Sequence, residues 1–321
     1  MKKSFPFLAL FVAVSLACNL PAATAIPSGP VSSPSGVAVL PATLSIEVPA
    51  SATALPATEL PHATPTALPA TELPYATPTV LLPSFDGLAV SFGSLKLVLP
   101  PGLAAGASGM QFGRAEGEAV APWEVTPGHI QLDLDGYVLQ GKFHEPQIFV
   151  YPAQGYAELQ ASGAESIQRL HTILDNPAAL IDPQQLPRVP FFNAGQVFAS
   201  NIQVISFQNG RGVRFLTEYA QYAASANNHD LFYHFQGLTD DGAYYIIAIL
   251  PVTAPVLAEN SDAAAPLPAG GVAYPDIANP NADWQAYYAA VANLLNATHP
   301  ETFAPMLGHL DLLVQSIQVV P

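Results

Sequence analysis

The 321-residue chain has one cysteine, Cys18, and only nine lysines and arginines against 24 aspartates and glutamates. A single thiol excludes an internal disulfide framework. Because it stands at position 18, nothing downstream supplies a catalytic thiol, a cysteine zinc site or a dithiol redox motif. Stability must therefore come from an ordinary apolar core. The shortage of cations excludes nucleic acid and an anionic membrane surface as partners, since a net charge of −15 is repelled by both. The chain also lacks a Gly-x-Ser-x-Gly elbow, a phosphate loop and a dinucleotide fingerprint, so no cofactor is expected. His144-Glu145 has no second histidine at zincin spacing, and Pro146 follows it.

An apolar run long enough to span a bilayer is missing as well. Phe5 to Ala17, behind the basic start Met1-Lys2-Lys3, has instead the length of a signal-peptide core. Ser15-Leu16-Ala17-Cys18 resembles a bacterial lipobox, with Ser15 where that pattern prefers leucine. This predicts removal of residues 1–17 and lipid attachment at Cys18. Ala23-Thr24-Ala25 offers an alternative, ordinary secretory cleavage. The protein is expected to be exported and held by lipid at the outer face of the cytoplasmic membrane or at the cell surface; cleavage after Ala25 would instead release it.

What the chain has in plenty is proline, and residues 18–83 carry much of it. Ala54 to Thr66 recurs as Ala67 to Thr79 with Tyr75 in place of His62, a 13-residue tandem repeat. Prolines at this spacing favour extended, polyproline-like backbone, so the segment is read as a stalk reaching up to about 200 Å.

Residues 84–321 form the expected globular domain. Ile202 to Gln208, Val213 to Tyr219, Leu231 to Leu238 and Ala243 to Leu250 read as a four-stranded antiparallel meander, turning at Asn209-Gly210 and at Asp240-Asp241-Gly242. Leu231, Tyr233 and Phe235 share one face; Phe232, His234 and Gln236 share the other. Tyr244, Ile246 and Ala248 likewise oppose Tyr245, Ile247 and Ile249. Neither face is polar, so the sheet is expected to be covered on both sides. Earlier, Leu88 to Phe92 and Leu95 to Leu99 form a hairpin, followed by a Gly- and Ala-rich loop. His129 to Leu134 pairs with Tyr137 to Gln140 around Asp135-Gly136, and Gln147 to Tyr151 is a further strand. Ser162 and Glu165 form a capping box for a helix presenting Ile167, Leu170 and Leu174. After an irregular segment from Thr253 to Pro280, expected to be a mobile flap or else a functional loop, Asp283 caps a helix bearing Trp284, Tyr287 or Tyr288, Val291 and Leu294. Met306 to Val319 presents Leu307, Leu310, Val314 and Ile317, with an end that is helical or extended.

This α+β element order resembles the PsbP-like α/β/α sandwich of photosystem extrinsic proteins and of bacterial lipoproteins of the LpqN group. The run Asn209-Gly-Arg-Gly-Val-Arg-Phe-Leu-Thr, with Phe235-Gln-Gly-Leu-Thr-Asp-Asp-Gly-Ala-Tyr-Tyr, is similar to uncharacterised bacterial surface lipoproteins with a stalk. The resemblance implies binding or assembly and transfers no catalytic residue.

Arg211 and Arg214, if exposed beside Tyr219, Tyr233 or Tyr245, are the candidate ligand contacts, because guanidinium forks and tyrosine rings together bind anionic or planar groups. The alternative is that Arg214 pairs with Glu218 or an Asp of the next hairpin and locks the sheet. Asp133 and Asp135 leave one strand face together and, with Glu145, are the candidates for a hard cation; a solvated hairpin is the competing reading. The expected function is a non-catalytic binding or assembly module whose partners are a small ligand or an envelope protein. The alternative is an extracytoplasmic hydrolase using His and Asp residues that only the fold brings together.

Overall fold

The structure, a computed structural model, describes residues 85–320 apart from 263 and 277. The expected signal peptide, Cys18 and the stalk lie outside the described residues. Everything described belongs to one compact unit, Thr77–Pro321. No helix among the described residues is long and apolar enough to cross a membrane.

Among the described residues, ten strands form two antiparallel sheets. The larger has the order β3-β4-β5-β9-β8-β7-β6, built from β3 (Gly106–Phe112), β4 (His129–Asp135), β5 (Gln147–Pro152), β6 (Gly195–Phe207), β7 (Gly210–Ala220), β8 (Phe232–Thr239) and β9 (Tyr244–Pro251). The smaller joins β1 (Leu88–Phe92) and β2 (Leu95–Leu99) to β10 (Gln318–Val319). The last four strands of the large sheet are the expected meander, and mixed α+β is the fold class.

Strand alternation sends two sets of side chains to two cores. Ile148, Val150, Tyr233, Phe235, Ile246, Ala248 and Leu250 join one, under α3 (Trp284–Ala297) and α4 (Leu307–Ser316). Phe149, Tyr151, Phe232, Tyr245, Ile247 and Ile249 join the other, under α1 (Ala153–Leu159) and α2 (Ala161–Asp175). The period-2 pattern of the strands is thus fully used, one apolar set per face.

Several local expectations are corrected. Gly106–Phe112, read as a loop because of its glycines and alanine, is an edge strand in register with β4, from Gly106 opposite Asp135 to Phe112 opposite His129. Tyr137 to Gln140 forms no strand; Tyr137 turns inward and donates to the Pro251 carbonyl at 2.8 Å. No capping box starts α2, whose N-cap is Gln160 without a side-chain bond, and Glu165 pairs with Arg169 instead. Gln160, in extended conformation, is at once the C-cap of the preceding helix α1 and the N-cap of α2. On α3 the buried stripe is Tyr287, Val291 and Leu295, with Leu295 in place of Leu294. Part of the 253–280 segment is anchored: Thr253 bridges Ala304, and the Asn228 amide donates to the Ala254 and Leu257 carbonyls at 3.1 Å each.

The hairpin at Asn209-Gly210 is shifted by one residue. Phe207 pairs with Gly210, so Gln208 and Asn209 make the turn and Gly210 opens β7. Glycine is needed there for close approach. A Cβ on Gly210 would stand 2.2 Å from the Phe207 ring, and one on Gly212 would stand 2.3 Å from the Gln236 carbonyl oxygen and 2.6 Å from the Phe235 ring. Gly212 pairs with Gly237, so the glycines clear space for the edge-to-face rings of Phe207 and Phe235, 6.1 Å apart. Gly212→Ala is therefore expected to cost about 1–3 kcal/mol, the usual range for overpacking. Urea unfolding checks this, and a loss under 0.5 kcal/mol would contradict it.

Candidate functional site

Arg214, Tyr233 and Tyr245 are not surface contacts. Arg214 is 6% exposed; its Nε lies 3.3 Å from Asp311 Oδ1 of α4, and its two Nη atoms donate to the Asn201 carbonyl and, at 2.7 Å, to Gln203 Oε1. Tyr233 donates to the same Asp311 oxygen at 2.9 Å. Asp311 thus replaces Glu218 as the carboxylate that holds Arg214. Tyr245 lies on the opposite face of the sheet and donates to Gln236 Oε1 at 2.6 Å. Only Arg211 is exposed, at the far hairpin. These four residues form no common ligand site.

Asp133 and Asp135 are occupied in the same sense. Asp133 Oδ1 accepts from the amides of Gln131 at 2.8 Å and Gln147 at 2.9 Å, and Asp135 accepts from Ser108 Oγ at 2.6 Å. They border a cavity of about 380 Å³ with Lys142 and Glu145. Among the described residues no group of three or more His, Cys, Asp or Glu could hold a metal ion.

The concave surface lies elsewhere, at the free edge of the large sheet. Strand β6 begins there, between α3 on one side and the 182–194 segment on the other. A chamber of about 620 Å³ follows this edge, with Arg188, Phe191, Gln196, Gln285 and Tyr288 on its walls. A second chamber, about 420 Å³, is lined by Phe143, His144, Gln221, Tyr222, Asp230 and Ser261. Phe192, Ala194 and Tyr219 belong to both and form the shared wall.

Each wall has a local cause. Tyr219 falls on the same face of β7 as Phe215, so its ring is laid on the Phe232 ring, 6.1 Å away and nearly parallel. Phe192 leans on Tyr219 at 4.5 Å, and His144 packs on Phe232 at 4.3 Å and against Phe192 at 5.2 Å. Phe143 and Tyr222, 65% and 71% exposed, stand at the open side. Large aromatic surface is costly to leave in water, so an exposed pair at a cavity mouth marks a place where something apolar can be covered.

The polar groups are few. His144 is held neutral, its pKa lowered to about 4 chiefly by burial and further by His229, with Asp230 pulling the other way. His229 Nδ1 lies 2.5 Å from Asp230 Oδ1, and Asp230 Oδ2 accepts from Asn227 Nδ2 at 2.9 Å. The Tyr219 phenol is pushed well up by burial, with Arg188 opposing the shift, so it remains a donor; its oxygen is buried and has no hydrogen-bond partner. His234 donates Nε2–H to the Val189 carbonyl at 3.1 Å, which leaves Nδ1 bare and unpaired beneath this wall.

Sequence reasoning missed this groove. Its walls come from segments near 143, 190, 220 and 288, and no spacing relates them. The one legible signal was the aromatic pair Phe191-Phe192 inside a proline-crowded loop. Compared with protein-family models, curated proteins and solved structures, the chain matches none.

Proposed function

We propose that this is an exported, lipid-anchored envelope protein whose stalk presents a non-catalytic binding domain, with the two-chambered groove as its ligand site. The observation that carries the reading is the aromatic-walled cleft at the sheet edge, with Phe143 and Tyr222 exposed at its mouth. Ligand sites are concave, mostly apolar and furnished with a few polar groups, and this cleft has that make-up. Anchoring rests on Cys18 at the end of the apolar run and on the repeat-built stalk. Helices against both faces of the large sheet support an α/β/α sandwich of the PsbP-like kind.

The test is a thermal-shift screen of the full chain, detergent-solubilised, against sugars, peptides, lipids and aromatic acids and amides. A ligand present at 100 times its Kd stabilises by about 2.7 kcal/mol. A reproducible shift that Phe192→Ala abolishes is the expected result. No shift with any class, or shifts indifferent to Phe192, would contradict the groove as the site. Loss of metabolic palmitate labelling in Cys18→Ser checks the anchor.

A second reading, an extracytoplasmic hydrolase, draws on the His229–Asp230 contact and on Ser261 in the same chamber wall as Asp230. A carboxylate that orients an imidazole is half of a nucleophile-activating relay. Turnover of chromogenic esters or glycosides by the wild type, lost in His229→Ala, would favour it over the binding reading.

A further inference from the structure

Arg114 pairs with Glu116, Arg169 with Glu165 and Arg214 with Asp311, whereas Arg188, like Lys96, Lys142 and Arg211, makes no ion pair among the described residues; of these four Arg188 is the one that lines the larger chamber. Its Nη2 makes only a long bond, 3.4 Å, to the Gln184 carbonyl, to which Arg169 also donates at 2.8 Å. An exposed guanidinium without a counter-ion, in a domain so rich in carboxylates, is a charge the local structure leaves open. Arg188 lines the larger chamber, and so does Tyr219, whose buried hydroxyl has no acceptor. Asp182, the carboxylate of this chamber, accepts from the Gln184 amide at 2.9 Å and caps a short 3-10 turn, Pro183–Gln185. The lining of the smaller chamber includes Asp230 and no lysine or arginine, whereas that of the larger includes both Arg188 and Asp182.

From Arg188 and the unpaired Tyr219 hydroxyl in one chamber and the aromatic walls of the other, we infer that the groove takes an amphipathic monoanion, a carboxylate carrying an aromatic or bulky apolar body. This deepens the binding reading above and depends on it. The carboxylate lies in the larger chamber, where Arg188 supplies a forked donor and Tyr219 the hydroxyl. The apolar body passes the shared wall and rests among Phe143, Phe192 and Tyr222. The reverse orientation would set the anion against Asp230 with no arginine or lysine in the lining to meet it. Entry to Tyr219 requires the Phe192 ring, which covers it at 4.5 Å, to turn aside. Phe192 is a half-buried residue outside the helices and strands, so that movement breaks no ladder.

The experiment compares two probes on the full chain by isothermal titration, biphenyl-4-carboxylate and its neutral primary amide, with Arg188→Gln and Tyr219→Phe. Charge-assisted hydrogen bonds give the acid an advantage of about tenfold or more over the amide. Arg188→Gln is expected to erase that advantage while leaving the amide within about twofold. Tyr219→Phe is expected to weaken the acid severalfold. The substitution removes no hydrogen bond of the fold, because the deleted hydroxyl has no partner among the described residues. An amide that binds as well as the acid, or an acid indifferent to Arg188→Gln, overturns the anion assignment and leaves a neutral-ligand groove. If neither probe binds at millimolar concentration, the assignment of an aromatic acid falls. The broader screen then decides separately whether the groove binds anything.

Discussion

Arg214→Ala is expected to destabilise the domain by about 3–5 kcal/mol, the range for removing one partner of a buried ion pair. The side chains of Arg214 and Asp311 are only 7% and 18% exposed, so water screens them little. Without Arg214, Asp311 keeps its charge under α4 with the Tyr233 hydroxyl alone beside it, and Gln203 Oε1 and the Asn201 carbonyl lose their donors. Burial already raises the Asp311 carboxyl above the ordinary carboxylate value, and Arg214 works against that shift. For a domain of this size the loss corresponds to a fall in Tm on the order of 10 °C. Tyr233→Phe, which removes one hydrogen bond and leaves the pair intact, is expected to cost about 1 kcal/mol. Replacing both charges, Arg214→Met with Asp311→Leu, is expected to recover most of the loss, because the penalty is the stranded charge more than the missing attraction. Urea midpoints of the three variants check this. A cost below 1 kcal/mol for Arg214→Ala would mean that the pair is idle.

Glu218→Gln is expected to stabilise the protein above neutral pH, by an amount that grows as pH rises. Glu218 is buried in β7 and accepts from the Asn227 amide at 2.8 Å. Burial raises its pKa well above the usual carboxylate value; the Asn227 bond opposes the shift and the Asp230 charge adds to it. The folded state therefore holds a proton that the unfolded chain has already released. Stability associated with Glu218 is complete below the unfolded value, near 4.5, and is lost as pH climbs through the folded value. Glutamine keeps the neutral shape at every pH.

His234 and His144 act in the opposite sense. Burial lowers them from 6.5 to about 3 and about 4, so below pH 6.5 the unfolded chain binds protons that the folded one refuses. Each then removes about 1.4 kcal/mol per pH unit in the window below 6.5. Urea titrations of wild type and Glu218→Gln at pH 5, 6.5 and 8 separate the groups. The variant's advantage should widen from pH 5 to pH 8 against a common histidine-driven fall on the acid side. An equal gap at all three values would remove Glu218 as the titrating group.

The meander was legible because hydrophobic alternation and turn residues act between near neighbours. Tyr233 and Phe235 face one core and Phe232 the other, as the period of two requires. Reading failed where a residue had two physical uses. Gly210 marks a hairpin, but its role is to admit the Phe207 ring, which depends on a partner strand that spacing does not specify. The glycines of Gly106–Phe112 looked like loop residues, yet an edge strand tolerates them when its partner, β4, supplies the register. Arg214 reads from sequence both as a ligand contact and as a sheet-locking cation; the second is what the structure has, and its carboxylate comes from a helix 97 residues onward, beyond any local rule. The groove was the least legible feature, since it exists only where the start of β6 meets α3 and the 182–194 segment.

The measurement closest to the central claim is amide hydrogen exchange on the full chain, with and without saturating biphenyl-4-carboxylate. Binding in the groove predicts added protection confined to residues 143–144, 188–198, 219–222 and 285–292. Protection at residues 133–137 of the neighbouring cavity or at the Arg211 hairpin, or none anywhere, would contradict it.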